Sequence, residues 1–349
     1  MSMQETQSSH SVNPGYEIVE AKRDGAEPNL LNSATPLALS SMSAGSVPFS
    51  VLICTCNREA SIVETVKSIF ATHISCAELI IVDQSDTHAT KCALAPFCDD
   101  PRLRYIRSNV KGKGAALNRG LKEARNNIVA ITDDDVTVAP DWPQWHMEAF
   151  ARYPKIVLTY GNVLPVEFDA STGFIPTYYV TRDRMITNLW QKFLARGIGA
   201  NTAVRRDVIL EMGGFDPMLG PGGHFKSCID IDMTVRCIIR GHHVYEARSS
   251  NVYHNGFRNW EQGKPLIRNA FYGIGATYIK AFKCGSFAAL VLLVWEFVAY
   301  ALLPALHATL LSRPPLGWNR VIFFLRGVWD GLNYPVDKKY LLYKTKSES

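Results

Sequence analysis

The sequence has no pattern that assigns its cysteines to a metal site or to disulfides. The eight cysteines are scattered and form no CxxC pair, and Cys54 and Cys56 have no second pair at zinc-site spacing. Because alternate residues of a strand point to opposite faces, these two side chains are poorly placed to share one metal ion. We therefore expect all eight to be reduced thiols of a cytosolic protein.

A basic stripe and an N-terminal apolar core are also missing. The net charge is only +5 and the basic residues are dispersed, so we expect no nucleic acid among the partners. Residues 1–46 contain no apolar core of about 7–15 residues, so we expect no signal peptide there. Their many Ser, Asn, Glu and Gly residues predict a disordered segment.

Apolar runs and amphipathic segments alternate from Pro48 to Asp135. The runs "FSVLIC", "ELIIV", "LRYI" and "IVAIT" each end in polar residues, as buried parallel strands do. The segments "EASIVETVKSIFA" and "GKGAALNRGLKEAR" have helical spacing or a glycine-rich helix start. The resulting order predicts a doubly wound α/β sheet flanked by helices.

Polar residues follow all four predicted strands at the point where each strand ends. In such sheets, ligands bind beyond the carboxyl ends of the strands. We therefore predict one binding cleft formed by residues 55–58, 83–86, 108–113 and 133–135.

Three adjacent carboxylates, Asp133, Asp134 and Asp135, follow the fourth predicted strand. Their mutual repulsion favours a bound cation, and hard ions such as Mg²⁺ or Mn²⁺ take oxygen ligands and share them with phosphates. A solvated acidic loop is the alternative that these residues alone leave open.

The second half of the chain supplies further acidic and turn-rich segments. "GIGANTAVRRDVILEMGGFD" is followed by "CIDIDMTVRCIIRG", in which Asp230 and Asp232 begin a predicted helix that ends at Gly241. With "ICTCNR", "IIVDQSD", "GKGAALNRGL" and the "DDD" cluster, these segments make the chain resemble the family 2 glycosyltransferases over about Pro48 to Arg258. The resemblance implies a GT-A fold with a mixed sheet over residues 47–260.

The resemblance also implies roles for individual residues. Contacts with the nucleotide sugar are implied for Thr55, Asn57, Arg58, Asp83, Lys113, Asn118, Asp133 and Asp134. Contacts with an Mn²⁺ or Mg²⁺ cofactor are implied for Asp133, Asp135 and His254. Contacts with the acceptor are implied for Asn201 and Asp216. For Arg58 and Lys113 a solvated surface charge, and for His254 a structural role, remain alternatives.

The reaction implied by the resemblance is transfer of a sugar, with inversion, from a nucleotide-diphosphate sugar to a hydroxyl group. Asp230 lies where relatives have the catalytic base, although Ile229 replaces the Glu that usually precedes it. Asp232 is the other candidate, and it could instead cap the helix or pair with Arg236, four residues on. Trp142, Trp145 and Trp190 are candidate sugar-stacking faces, although tryptophan is more often a core residue.

The C-terminal region, residues 261–349, contains an apolar run from Phe287 to Leu311 in which only Glu296 is charged. As a helix it would be about 37 Å long, against a hydrocarbon core of about 30 Å. A single crossing would export the basic residues that follow it, against the positive-inside tendency. We therefore predict a hairpin that bends near Pro304, with Trp318 and Trp329 as interfacial anchors, and attachment through residues 287–332 to the cytoplasmic membrane face.

Several alternatives remain at this point. The apolar run could be a buried core helix of a soluble protein. A nucleotidyltransferase would share the sheet and the metal, but it usually has a glycine-rich basic loop after the first strand, where this chain has "CTCNREAS". A non-catalytic nucleotide-sugar binder is favoured only by Ile229. A lipid-linked glycan or a polysaccharide would be the acceptor that best fits membrane attachment.

Overall fold

A computed structural model describes residues 48–194, 196–310 and 316–344. The segment predicted to be disordered, residues 1–46, lies outside these ranges, as does Leu311 at the end of the apolar run.

The chain forms thirteen strands within the described residues, most of them short. They are β1 Phe49–Thr55, β2 Glu78–Asp83, β3 Leu103–Arg107, β4 Ile128–Thr132, β5 Val136–Val138, β6 Ile156–Pro165, β7 Gly173–Phe174, β8 Arg184–Ile186, β9 Thr202–Arg205, β10 His243–His254, β11 Arg258–Asn259, β12 Val336–Asp337 and β13 Leu342–Tyr343.

Helices connect the strands and make up most of the C-terminal region. They are α1 Glu59–Phe70, α2 Ala89–Ala93, α3 Lys113–Glu123, α4 Trp142–Arg152, α5 Arg206–Glu211, α6 Ile229–Ile239, α7 Trp260–Lys283, α8 Phe287–Glu296, α9 Leu303–Leu310 and α10 Leu316–Asn333. Short 3₁₀ helices cover Ala95–Phe97 and Leu189–Leu194, and a π-helical segment covers Phe297–Leu302.

Nine of the described strands form one mixed sheet, in the order β3-β2-β1-β4-β9-β6-β10-β5, with β8 also pairing with β10. Strands β1 to β4 are parallel neighbours, whereas β9 is inserted antiparallel between β4 and β6. In the register, Thr55 pairs with Asp83 and Ile53 with Thr132, so the residues after these strands leave the sheet at one edge. The predicted doubly wound α/β sheet is confirmed.

Two apolar cores lie on the two faces of the sheet, because the buried strands send side chains to both sides. One core joins alternate residues of β1 and β2 to α1 and α4; it includes Ile62, Val66, Trp142 and Phe150. The other joins the sheet to α3, α6, α7 and the C-terminal helices; it includes Leu121, Met233, Phe271, Leu292 and Phe324. The C-terminal helices therefore pack against the domain that contains the sheet and share its core.

The apolar C-terminal run is one continuous helix from Phe287 to Leu310, and its length and composition would suffice to cross a membrane. The predicted hairpin near Pro304 is wrong, because the helix continues through Pro304 to Leu310. Pro304 is the second residue of α9, which follows the π-helical segment Phe297–Leu302. The ring of Phe297 lies 5.4 Å from that of Phe324, and Gly317 approaches Ala305, so α10 returns antiparallel to this helix.

Candidate active site

One cleft of about 620 Å³ opens at the carboxyl edge of the parallel strands. All four predicted strand exits line it, through residues such as Thr55, Gln84, Lys113 and Asp133. The prediction that these exits converge is therefore confirmed. The opposite wall is formed by residues 196–200, by the start of α6 with Asp230, and by apolar residues of α7.

Each carboxylate of the triplet has cationic or hydroxyl partners in this cleft. Asp133 accepts a hydrogen bond from Lys113 Nζ at 2.5 Å. Asp134 accepts from the Thr55 hydroxyl at 2.6 Å, and Arg58 donates to both Asp134 and Asp135. These contacts compensate the repulsion among three adjacent negative charges.

Asp134 and Asp135 differ in acidity because their surroundings differ. Burial raises the pKa of Asp134 to about 6, although the Thr55 hydroxyl and Arg58 oppose the shift. Burial would also raise the pKa of Asp135, but His254 and Arg58 hold it well below its usual range. Of these two, Asp135 is therefore the carboxylate that stays ionised to lower pH.

Asp135 and His254 form a donor pair that fits a divalent cation. The Oδ1 atom of Asp135 lies 3.2 Å from Nε2 of His254, and two donors at about 2.1 Å on neighbouring octahedral positions are about 3 Å apart. His254 Nδ1 lies 3.0 Å from the Pro176 carbonyl, the contact that orients a metal-binding imidazole. Among the described residues no three His, Cys, Asp or Glu side chains form a complete metal site, so substrate oxygens would have to supply other ligands.

Asp230 and Asp232 lie in different surroundings although they are two residues apart. Asp230 is half-buried in the wall of the cleft, and the Gly199 N–H donates to its carboxylate. Burial raises the pKa of Asp230, and Lys113 opposes that shift. Asp232 is buried and does not line the cleft. Its Oδ1 atom lies 2.7 Å from Lys280 Nζ, and its Oδ2 atom lies 3.8 Å from Arg236.

Asp216 belongs to the same buried cluster as Asp232. Lys280 Nζ donates to Asp216 at 2.5 Å, and the Tyr343 N–H donates to the same carboxylate at 3.0 Å. Lys280 therefore serves two buried carboxylates at once. The cluster ties α6, α7 and the C-terminal hairpin β12–β13 together, and Asp216 does not line the cleft. Its role in acceptor binding stays a prediction.

Replacing Lys280 by Met is expected to lower the free energy of unfolding by about 3 kcal/mol or more, because two buried carboxylates would lose their shared cation. Urea unfolding monitored by circular dichroism measures this. Lys264→Met on the same helix removes only an exposed partner of Glu261 and should change stability by less than about 0.5 kcal/mol. Equal losses in the two variants would contradict a stabilising role for the cluster.

Three predicted nucleotide contacts lie beside the cleft rather than in its lining. Asp83 is buried, where it accepts from the Ser85 N–H at 2.8 Å and the Tyr105 hydroxyl at 2.6 Å. Asn57, with φ of 55°, exchanges hydrogen bonds with Asp86. Asn118 exchanges hydrogen bonds with the backbone of Phe215. Their roles in nucleotide binding stay predictions.

Asn201 lies in a buried polar network instead of an open acceptor pocket. Its side chain accepts from Trp142 Nε1 at 2.8 Å and donates to the carbonyls of Asn162 and Ser250. Trp142 is thus a core residue. Trp145 bonds to Asp141, and Trp190, although exposed, lies outside the lining of the main cleft. Contact of Asn201 with the acceptor also stays a prediction.

Arg196 and Arg258 also line the cleft, and the sequence did not predict them there. Gln84 and Lys111 belong to the predicted strand exits, although no individual role was assigned to them. Arg258 Nη2 lies 3.8 Å from Asp135, and its place just after His254 was a usable signal. Arg196 had no signal, because its partner Glu296 is distant in sequence.

Comparison with known proteins agrees with this architecture. Residues 50–213 match the family model described as glycosyl transferase family 2. A Haloferax volcanii protein named glucosyl-dolichyl phosphate glucuronosyltransferase is 28% identical over 180 residues, which cover 50% of this chain and 58% of that protein. A Staphylococcus epidermidis poly-beta-1,6-N-acetyl-D-glucosamine synthase is 26% identical over 114 residues, which cover 32% of this chain and 28% of that protein. The chain thus spans 58% of the length of the first relative and 28% of the length of the second.

Solved structures share the fold at low sequence identity. A mannosyltransferase from Pyrobaculum calidifontis, solved with GDP-Man and Mn²⁺, matches with a TM-score of 0.56 and 17% identity over 83% of this chain and 88% of that chain. The 1–349 portion of TarS from Staphylococcus aureus, solved with UDP, matches with a TM-score of 0.52 and 14% identity, over 82% and 90%. The predicted GT-A fold is confirmed by these neighbours.

Proposed function

We propose that this chain, which carries a glycosyl transferase family 2 domain over residues 50–213, transfers a sugar from a nucleotide-diphosphate sugar to an acceptor hydroxyl. The observation that carries the proposal is that one cleft is lined by Asp135, His254, Lys113 and Asp230. Two of the matched structures support a nucleotide-sugar donor, since one was solved with GDP-Man and the other with UDP.

The cationic residues of the cleft suit the diphosphate of such a donor. Arg58, Lys111, Lys113 and Arg258 all line it, and each is close to a carboxylate that the donor could displace or share. Charge-assisted hydrogen bonds to phosphate oxygens are strong and orient the group. These residues would therefore bind the donor with its diphosphate near the carboxylate triplet.

Asp135 and His254 would hold the Mn²⁺ or Mg²⁺ ion, and Asp133 would join them if Lys113 turned toward the diphosphate. When bound, such an ion stabilises the negative charge that develops on the leaving diphosphate oxygen. Arg58 and Arg258 lie against Asp135 and would keep its carboxylate oriented.

Asp230 is the residue that would accept the acceptor proton. As the acceptor oxygen attacks the anomeric carbon, its proton passes to the Asp230 carboxylate and the bond to the nucleotide diphosphate breaks. One such displacement inverts the anomeric configuration. The partly buried position and raised pKa of Asp230 bring its basicity closer to that useful at neutral pH. A non-catalytic binder would not need a carboxylate at this point.

An apolar wall of the cleft favours an acceptor carried on a lipid. The wall is formed by Phe174, Leu266, Ile267, Ala270 and Ile274. All but the first belong to α7, the helix against which α8 and α10 pack. The acceptor would thus enter from the side of the C-terminal helices. A growing polysaccharide is the second candidate acceptor, since the staphylococcal relative is named a poly-beta-1,6-N-acetyl-D-glucosamine synthase.

The C-terminal helices would attach the protein to the cytoplasmic face of a membrane. Their outer surfaces expose Phe287, Val291, Val294, Trp295, Val298, Leu303, Leu306, Leu310, Trp318, Ile322, Leu325, Trp329 and Leu332. The inner surface of the first helix packs into the protein core through Ala289, Leu292 and Leu293. A helix bound in this way to the domain would lie in the membrane surface rather than cross it alone.

Exchanging Val294, Ile322 and Trp329 together for Gln is expected to release the protein from membranes, because these side chains are 54%, 55% and 68% exposed. Their removal costs roughly 1–2 kcal/mol each in lost burial in the lipid, because only about half to two thirds of each side chain is exposed for such burial. Co-sedimentation with phospholipid vesicles measures the change. Deleting the helices would be a poor test, since they contribute to the core.

The matched control exchanges Val110 and Tyr253, which are also exposed but lie on the domain, for Gln. It should leave vesicle binding unchanged. Wild-type protein that stays in solution with vesicles would contradict the membrane assignment.

A donor panel tests the proposed reaction. The full chain is incubated with UDP-, GDP- and dTDP-sugars in Mn²⁺, with and without a polyprenyl-phosphate glycan, and release of the nucleoside diphosphate is measured. Acceptor-dependent release with one donor is the expected result. Absence of release and of transfer with every donor and acceptor would contradict the proposal.

A further inference from the structure

Glu296 is the one charged residue in the apolar helix, and it points into the protein. Its side chain is only 3% exposed, and its Oε2 atom accepts from Arg196 Nη2 at 3.0 Å. The guanidinium of Arg196 also lies 4.3 Å from the centre of the Tyr300 ring, one turn further along the same helix. The helix therefore holds Arg196 by an ion pair and by a cation–π contact.

Arg196 begins a short segment, residues 196–200, that forms one wall of the cleft; we name it the strap. The strap is fixed at its start because the Arg196 N–H donates to the Tyr178 hydroxyl at 3.1 Å, and that hydroxyl donates to Glu246. It is fixed at its end because Thr132 donates to the Ala200 carbonyl at 2.7 Å. Glu296 adds the contact from the C-terminal helix.

The strap is linked to Asp230 indirectly through Tyr160 and directly through Gly199. Gly197, with φ of +69°, lies flat against the Tyr160 ring, where an added Cβ would be 2.4 Å from a ring atom. The Tyr160 hydroxyl donates to the Asp230 carbonyl at 3.0 Å. Gly199 donates its N–H to the Asp230 carboxylate, and a Cβ on Gly199 would lie 2.5 Å from Oδ1. A shift of the strap would therefore move the carboxylate or remove its hydrogen bond.

We propose that Glu296 is a positioning residue, which fixes Arg196 and the strap and thereby holds the carboxylate of Asp230 toward the cleft. This inference rests on the proposed function in so far as Asp230 acts as the base. It makes the docking of the apolar helix a condition for turnover, since the helix supplies both Glu296 and Tyr300. The charge inside the apolar run thus has a function that hydropathy alone does not indicate.

The test compares Glu296→Gln with Glu78→Gln in the full chain. Glu78 is a matched control because it is 2% exposed and accepts from Arg104 at 2.6 Å, but it begins β2 at the opposite edge of the sheet from the cleft. Both exchanges keep the side-chain shape and remove one buried charge. We expect Glu296→Gln to lower turnover per folded molecule by roughly 10- to 100-fold with little change in donor KM, as a misplaced catalytic group does. Glu78→Gln should lower the melting temperature and leave turnover unchanged.

Hydrogen–deuterium exchange provides a second measurement that does not depend on activity. Amides of the strap, and those at the start of α6, should exchange roughly tenfold faster in Glu296→Gln than in Glu78→Gln. Should Glu296→Gln fail to fold, Glu296→Asp keeps the charge but withdraws it from Arg196, and it should show the same changes at smaller size.

Each outcome decides the matter. Strap exchange that is the same in the two Gln variants overturns the proposal, and so does a looser strap with unchanged turnover. If the wild-type chain transfers no sugar from any donor, the proposed function fails, and faster exchange at the strap and Asp230 still supports the positioning contact. Turnover lowered equally by Glu78→Gln and Glu296→Gln would show a general loss of stability and overturn the specific role.

Discussion

Asp135→Ala is expected to reduce sugar transfer by roughly 10³-fold or more and to weaken binding of the nucleoside diphosphate in Mn²⁺. The variant removes the carboxylate that lies 3.2 Å from His254 and that pairs with Arg58 and Arg258. It would thereby remove a ligand of the proposed ion, whose stabilisation of the leaving group is worth several kcal/mol. Transfer assays and calorimetric titration with and without Mn²⁺ measure the two effects.

Asp100→Ala is the matched control for this variant. Asp100 also pairs with an arginine, Arg102, at 2.6 Å, but it precedes β3 at the edge of the sheet away from the cleft. Its loss should leave transfer and the metal dependence of binding unchanged. If nucleotide binds the wild type equally well with and without a chelator, and Asp135→Ala binds as the wild type does, then the metal assignment is wrong.

The parallel half of the sheet could be predicted because its signals are local. The apolar run from Phe49 to Cys54 corresponds to β1, Phe49–Thr55, and the runs before Asp83 and Asp133 correspond to β2 and β4. Burial on both faces requires continuous apolar sequence, and the end of burial requires polar residues. The position of the cleft followed from the same signals.

The antiparallel part could not be predicted in this way. Strand β9 has only four residues, Thr202–Arg205, and its place between β4 and β6 depends on partners that lie 40 to 80 residues away in the chain. Short segments rich in turn residues carry little periodicity. The sequence therefore did not predict that β9 pairs with β4 and β6.

The roles of buried polar residues were the least predictable. Asn201 meets Trp142, His146 and Ser250 in a fully buried network, and burial lowers the pKa of His146 to about 4. Nothing in the residue types distinguishes such a structural amide from an acceptor ligand. The same holds for Asp216, whose partners Lys280 and Tyr343 lie 64 and 127 residues further along the chain.

Hydropathy predicted the apolar C-terminal helix but not which side of it faces the protein. Composition predicted a long helix, and a helix runs from Phe287 to Leu310. Hydropathy does not report which side of the helix faces protein, since that depends on distant partners such as Arg196, 100 residues from Glu296. The hairpin predicted near Pro304 is not formed, because the helix continues through Pro304 to Leu310.

Asp230→Asn is expected to lower turnover by roughly 10²- to 10⁴-fold, the usual contribution of a general base, with little change in donor affinity. The amide keeps the shape of the side chain and can still accept from the Gly199 N–H, but it cannot take up the acceptor proton. Steady-state rates at varied donor and acceptor concentrations, with the configuration of the product sugar, measure this.

Asp232→Asn is the control that the chain itself offers, two residues away on the same helix. Asp232 is buried outside the cleft, where it pairs with Lys280 and Arg236. Its exchange should therefore lower stability and leave the turnover of the folded fraction nearly unchanged. The opposite pattern, an active Asp230→Asn and a folded but inactive Asp232→Asn, would move the base to Asp232. Full activity in both variants would mean that the acceptor proton leaves by a route that uses neither carboxylate, and the direct-displacement mechanism proposed for this cleft would then lack its base.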